Sequence, residues 1–144
     1  MHPTTSFNKG ALPTLRSTIQ FTQRRSILIA NNIANVETPM YQAKDISEGD
    51  FKELLGRAVD KRRDGNPRIW KFKGNRNMRP RAGGGMNYKI LPAGDVDIQQ
   101  HDQNNVDIDK EMVKLAKNTI LHNTMVELLT KQYNLIESAI SERV

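Results

Sequence analysis

The chain has 144 residues, a net charge of +6, no cysteine, and only one Trp, three Tyr and four Phe among its 37% hydrophobic residues. That is one domain's worth of sequence whose packing must be mainly aliphatic and helical. The lack of cysteine excludes disulfides, thiolate metal sites and a cysteine nucleophile. No apolar run approaches the roughly 18 to 20 residues that span a bilayer, so no direct membrane insertion is expected. The N-terminal MHPTTSFNKGALPTLRS lacks the apolar stretch of a secretory signal. Such a chain is expected to stay in the cytoplasm or to leave by a route that reads no cleavable signal.

The charge is uneven. Residues Arg57 to Lys89 hold 11 Lys and Arg against Asp60 and Asp64, a net +9, and the remainder holds 11 against 14 acids, a net −3. A basic middle therefore lies between nearly neutral ends.

Residues 1–12 are polar, carry Pro3 and Gly10 without periodicity, and read as a flexible arm. A helix is predicted over 13–37, with Thr14 as cap or Pro13 in its first turn. Its stripe runs Leu15, Ile19, Thr22, Ser26, Ile29, Ile33 and Val36 in heptad steps, polar in the middle. Thr38-Pro39 is expected to end it, because proline drives its predecessor out of the α region. A middle segment, 38–103, holds a short amphipathic helix around Phe51, Leu54, Leu55, Ala58 and Val59. Within it, the alternating runs Arg68–Lys73 and Met86–Leu91 are candidates to pair as a hairpin across GNRNMRPRAGGG. An isolated hairpin is marginal in water, so this one is expected to need a partner.

The strongest periodicity falls in 104–144. Ile108, Met112, Leu115, Thr119, His122, Val126, Leu129, Tyr133, Ile136 and Ile140 alternate in steps of four and three, with Leu121, Met125, Leu128, Gln132, Leu135 and Ala139 beside them. Asp107 can cap this helix, and Asp109 and Glu111 suit the positive end of its dipole. It would be roughly 50 Å long, more than a small core needs. The predicted fold is mainly α, its long N- and C-terminal helices packed as a coiled coil around an irregular or β-hairpin middle. The apolar face is wider than the N-terminal helix can cover. Leu15, Ile19, Ile29 and Ile33 on one helix, and Ile108, Met112, Leu115, Val126, Leu129, Tyr133, Ile136 and Ile140 on the other, are therefore candidates for contacts between subunits. An ordinary helical bundle is the alternative, although the middle supplies too few apolar residues for further long helices.

The run Ala30–Asp45, ANNIANVETPMYQAKD, resembles the N-terminal signature of flagellar rod and hook proteins. It carries the core Asn32, Ile33, Ala34 and Asn35, then Thr38-Pro39, Tyr41 and the pair Lys44-Asp45. Asn104–Met112, NNVDIDKEM, resembles the approach to the long C-terminal helix of the same family. The resemblance covers about 12–59 and 104–144, and together with the short length points to proximal rod members, with another axial rod subunit as the alternative. One departure is Met40, where the family usually has glycine. The resemblance implies a structural subunit, assembled with its own copies and other rod proteins. It also implies contacts with the adaptor and ring at the inner membrane, and uncleaved passage through the flagellar type III export apparatus into the periplasmic rod. Asn32 and Asn35 suit a helix end, where their side chains satisfy backbone groups and Asn35 tolerates a left-handed conformation.

No nucleotide loop, nucleophile elbow or H-E-x-x-H is present. Gly83-Gly84-Gly85 reads as a flexible loop rather than a phosphate cradle. His122 reads as a packed, hydrogen-bonded histidine, and Asp95, Asp97, Asp102, Asp107 and Asp109 lack the spacing of a calcium loop. Neither an enzyme nor a cofactor is expected. The rival function lies in the basic patch Arg68, Lys71, Lys73, Arg76, Arg79, Arg81 and Lys89, interleaved with Trp70, Phe72 and Tyr88. That mixture could neutralise phosphates and stack bases in a nucleic-acid binder with a coiled-coil arm. A solvated loop or an interface with an acidic partner subunit fits it better; the acidic partner is the expectation adopted, with no nucleic acid. A soluble helical adaptor is the third reading.

Overall fold

A computed structural model describes residues 11–65, 70, 72–82, 85–93 and 103–141. The flexible-arm expectation for the first ten residues lies outside the described residues. Three helices dominate: α1 (Leu12–Ala34), α2 (Glu48–Arg63) and α3 (Ile108–Ser141). Helix α1 opens with Pro13 in its first turn, where a missing N–H costs nothing. Helix α2 begins at Ser47, whose hydroxyl accepts from Asp50 N at 3.1 Å, and carries Lys61, Arg62 and Arg63 at its negative end. Helix α3 starts as expected, with Asp107 Oδ1 accepting from the backbone N–H groups of Asp109 and Lys110. α1 and α3 pack along one another as an antiparallel pair, with Asn32 against Glu111 at one end and Arg16 against Tyr133 at the other.

Two small antiparallel sheets complete the structure. β1 (Lys44–Asp45) pairs with β4 (Leu91–Pro92), and β2 (Met78–Pro80) pairs with β3 (Met86–Tyr88). The hairpin thus differs from the expected one. Its second strand is the anticipated run, but its first is Met78–Pro80, while the described part of Arg68–Lys73 forms no strand. Asn75 explains the shift. Its side chain accepts from the N–H groups of Asn77 and Met78, and its own N–H reaches Met78 O, making a tight turn that launches β2. Gly74 belongs to that turn because a Cβ there would lie 2.4 Å from the Met78 carbonyl oxygen.

The hairpin finds its support within the chain. Phe21 and Leu28 of α1, Ile46, Phe51 and Leu54 of α2 and its approach, and Met78 of β2 form one buried cluster, with Tyr88 and Phe72 half-buried against it. Phe21 and Phe51 stack at 4.1 Å, and Tyr88 meets Phe21 edge-on at 5.9 Å.

Helix α1 ends at Ala34, before the expected Thr38-Pro39 stop. The reason is tertiary. The carbonyls of Asn35, Val36 and Thr38 all turn to one side-chain amide, that of Asn104, at 3.0, 2.8 and 2.9 Å. Asn35 itself is not left-handed, at φ −106°. The left-handed residue is Met40, at φ 61°. A glycine there would adopt that conformation without the Cβ clash that methionine carries.

Candidate functional site

The two signature segments form a single polar joint where α1 meets α3. Asn32 is fully buried and uses all four of its hydrogen-bonding capacities. Its amide donates to Lys44 O at 2.8 Å and to Glu111 Oε2 at 2.9 Å, and its oxygen accepts from Lys44 N and the Tyr41 hydroxyl. Glu111, also buried, is held on its other oxygen by Lys114 Nζ at 2.6 Å. Burial, and then the nearby Glu111 charge, raise the pKa of Tyr41 above its ordinary value. Asn104 closes the joint from the other side, its oxygen accepting from Val106 N, while Asn105 Oδ1 accepts from Ala43 N at 2.7 Å. Asp45 receives a two-pronged bond from Arg25, which also holds Glu48. Burial opposes the Arg25 charge, yet its carboxylate partners raise its pKa. The Lys52 hydrogen bond, with that of Arg25, draws the Glu48 carboxyl below its usual range.

Beyond the joint, the seam between α1 and α3 is also polar. Asn118 donates to Thr22 O and Ser26 Oγ, both at 2.7 Å. Thr22 Oγ1 lies 2.8 Å from His122 Nδ1 and also 3.0 Å from Thr18 O. Thr22 and His122 thus link the two helices side chain to side chain. Arg16 donates to the Tyr133 hydroxyl at the far end.

Many apolar residues of α3 are turned elsewhere. Val113, Ile120, Leu128 and Leu135 are exposed, Ile120 to 67%. At 3.6 residues per turn they occupy a sector about 80° wide on the far side from Glu111 and Asn118. Ile108, Met112, Val126 and Ile140 form a second exposed flank.

A third surface lies beside the hairpin. An open groove of about 590 Å³ runs between α1 and β2–β3, bordered by Pro13, Arg16, Trp70, Phe72, Lys73 and Arg81. It continues along Gln20, Arg24 and Ile27 past Met86 and Tyr88. The Tyr88 hydroxyl is buried without a partner among the described residues, and burial pushes its pKa up to about 12.

No family model matches the chain. It is 31% identical over 136 residues to the flagellar basal body rod protein FlgB of Bacillus subtilis (strain 168), covering 94% of this chain and 97% of that protein. The chain belongs to the FlgB family. The FlgB of Borrelia hermsii is 30% identical over 120 residues, covering 81% and 84% of the two chains.

Within this FlgB-family chain the signature residues converge. Asn32, Asn35, Thr38, Tyr41, Lys44 and Asp45 all take part in the joint or its approach, whereas Pro39 is exposed and Ile33 half-buried. The residues expected between subunits divide. Leu15 and Ile29 are buried inside the chain, and Ile19, Ile33, Leu115, Leu129, Tyr133 and Ile136 are half-buried along the seam. Ile108, Met112, Val126 and Ile140 remain open. Of the basic patch, Arg68 and Lys71 lie outside the described residues, Lys73 and Arg81 border the groove, and Arg76, Arg79 and Lys89 are exposed but do not line it. Sequence reading missed Asn104, Glu111 and Asn118 as structural partners, and Val113 and Ile120 as outward apolar positions. The heptad polarity of α1 at Thr22 and Ser26 was the available signal for a polar seam.

Among the described residues, no helix is long and apolar enough to cross a membrane, and no group of three His, Asp or Glu could hold a metal ion.

Proposed function

We propose that this chain is a non-enzymatic structural subunit of the proximal rod of the flagellar basal body, polymerising through its terminal helices and transmitting torque. The relationship to FlgB proteins over nearly the whole chain supports the rod assignment. The observation that carries the mode of assembly is the outward apolar sector of α3. Covering a single Leu or Ile contributes about 1.5–3 kcal/mol, so Val113, Ile120, Leu128 and Leu135 together favour association strongly. Helices α1 and α3 form the assembling unit, and α2 with the β2–β3 hairpin forms a lobe beside it. Neighbours are further copies, other rod proteins and the adaptor and ring at the inner membrane. The subunit reaches the periplasm through the flagellar type III apparatus.

The test is a charge on the outward sector. Ile120→Asp should leave the stability of the isolated subunit within about 0.5 kcal/mol, because the position is exposed. The same change should abolish polymerisation by sedimentation, and motility in cells carrying only the variant. Normal rods built from this variant would remove the outward sector from the assembly interface.

A further inference from the structure

We propose that the groove between α1 and the β2–β3 hairpin binds an extended acidic segment of a partner protein. Four cations border it from three parts of the chain: Arg16 and Arg24 of α1, Lys73 before the hairpin, and Arg81 in its turn. Among the described residues none of them pairs with a carboxylate; Arg16 meets only the neutral Tyr133 hydroxyl. By contrast, Arg25, Lys52, Arg57 and Lys114 each pair with a carboxylate. Unpaired like charges around one concavity repel each other within the screening distance of about 10 Å, and an acidic occupant relieves them.

The backbone offers the second half of the recognition. In the β2–β3 pair, Lys89 N bonds Asn77 O and Arg81 N bonds Gly85 O. Because bonding alternates along an antiparallel ladder, Met86 and Tyr88 sit at non-bonded positions opposite Pro80 and Met78. Their N–H and C=O groups therefore point to the free edge of β3, which carries no further strand among the described residues. A free edge beside a cationic groove suits an added strand, held by main-chain bonds and selected by charge. The α1 wall from Pro13 to Ile27 is about 21 Å long, which matches about six extended residues.

The aromatic residues favour a peptide over a nucleic acid. Trp70 already lies under the Arg62 guanidinium at 6.0 Å and against Phe72 at 6.3 Å, and Phe72 stacks on Phe51 at 6.4 Å. These rings serve one another rather than standing free as platforms for bases. This inference is independent of the rod assignment, because the groove and its charges stand whichever partner is present.

Trp70 is the sole tryptophan and borders the groove, so its fluorescence reports occupancy in the full-length chain. The probes are a short synthetic peptide of alternating aspartate and valine, the same peptide with asparagine for aspartate, and single-stranded DNA. The acidic peptide should shift the emission saturably, and the asparagine peptide should not. The double variant Lys73→Glu, Arg81→Glu should lose about tenfold or more in affinity while its circular dichroism is kept and its Tm is unchanged or raised. A residue serving only the fold would lower the Tm instead. Equal binding of the asparagine peptide, undiminished binding by the folded double variant, no saturable shift at all, or tighter binding of DNA than of the acidic peptide would each overturn the proposal.

Discussion

The joint and the hairpin lobe handle buried polarity in opposite ways. At the joint, Asn32, Asn104 and Glu111 come from distant parts of the chain, and each finds its partners within the subunit. In the lobe, neighbouring aromatic rings do the packing, while among the described residues the Tyr88 hydroxyl has no partner and Arg16, Arg24, Lys73 and Arg81 pair with no carboxylate. A fully satisfied polar network stiffens and specifies one arrangement, whereas an unsatisfied group marks where the structure is incomplete by itself. The joint is finished in the single subunit. The lobe is finished by what binds to it.

The largest expected effect comes from breaking the finished side. Asn32→Leu keeps the branched shape but strands the Lys44 backbone groups, the Tyr41 hydroxyl and one oxygen of Glu111. A loss of about 3–5 kcal/mol is expected in urea unfolding, a large share of the 5–15 kcal/mol typical of a domain. A loss within experimental error would show that the joint does not hold the helices together. A smaller and opposite effect is expected nearby. Met40→Gly relieves a left-handed methionine that is well exposed, so the subunit should gain about 1 kcal/mol. An unchanged or lowered Tm would mean that the turn adapts to its side chain.

The smallest effect is expected in the lobe. Tyr88→Phe removes a hydroxyl that has no partner, so stability at neutral pH should stay level or rise by up to about 1 kcal/mol. The pH dependence sharpens the contrast. The unfolded tyrosine releases its proton near pH 10, and the folded one holds it until about 12. Over that window the folded state binds more protons than the unfolded one, so stability falls as pH rises. The phenylalanine variant should lack this part of the slope, which the difference between the two unfolding series at each pH measures directly.

Much of the helical framework was legible in the sequence, because α3 has a long period and a clear cap at Asp107. Pro13 likewise located the start of α1. Which face of α3 packs inward was only partly legible. The periodic stripe mixed residues that line the seam, Leu115, His122, Leu129, Tyr133 and Ile136, with Ile108, Met112 and Val126, which stay exposed, and it passed over Glu111 and Asn118, which bond to Asn32, Thr22 and Ser26. Polar residues satisfied across an interface look the same in sequence as polar residues facing water. The end of α1 was hidden for a related reason, since the residue that gathers its last carbonyls, Asn104, lies nearly 70 positions away. The strand Met78–Pro80 was hidden because a buried methionine followed by arginine and proline has no alternation long enough to detect. The signature run located the joint, but it did not reveal that Asn32 is the hub and Lys44 contributes its backbone.

The joint also sets an order of events. Asn32 reaches Glu111 across 79 positions, Asn118 reaches Thr22 across 96, and Arg16 reaches Tyr133 across 117. Contacts so distant in sequence form late and slowly, because the intervening chain must first be brought round. A chain cut short before Asp107 contains half of each pair and can close none of them. Completion of the fold thus coincides with arrival of the last helix, and the subunit carries in its own connectivity a check that both ends are present.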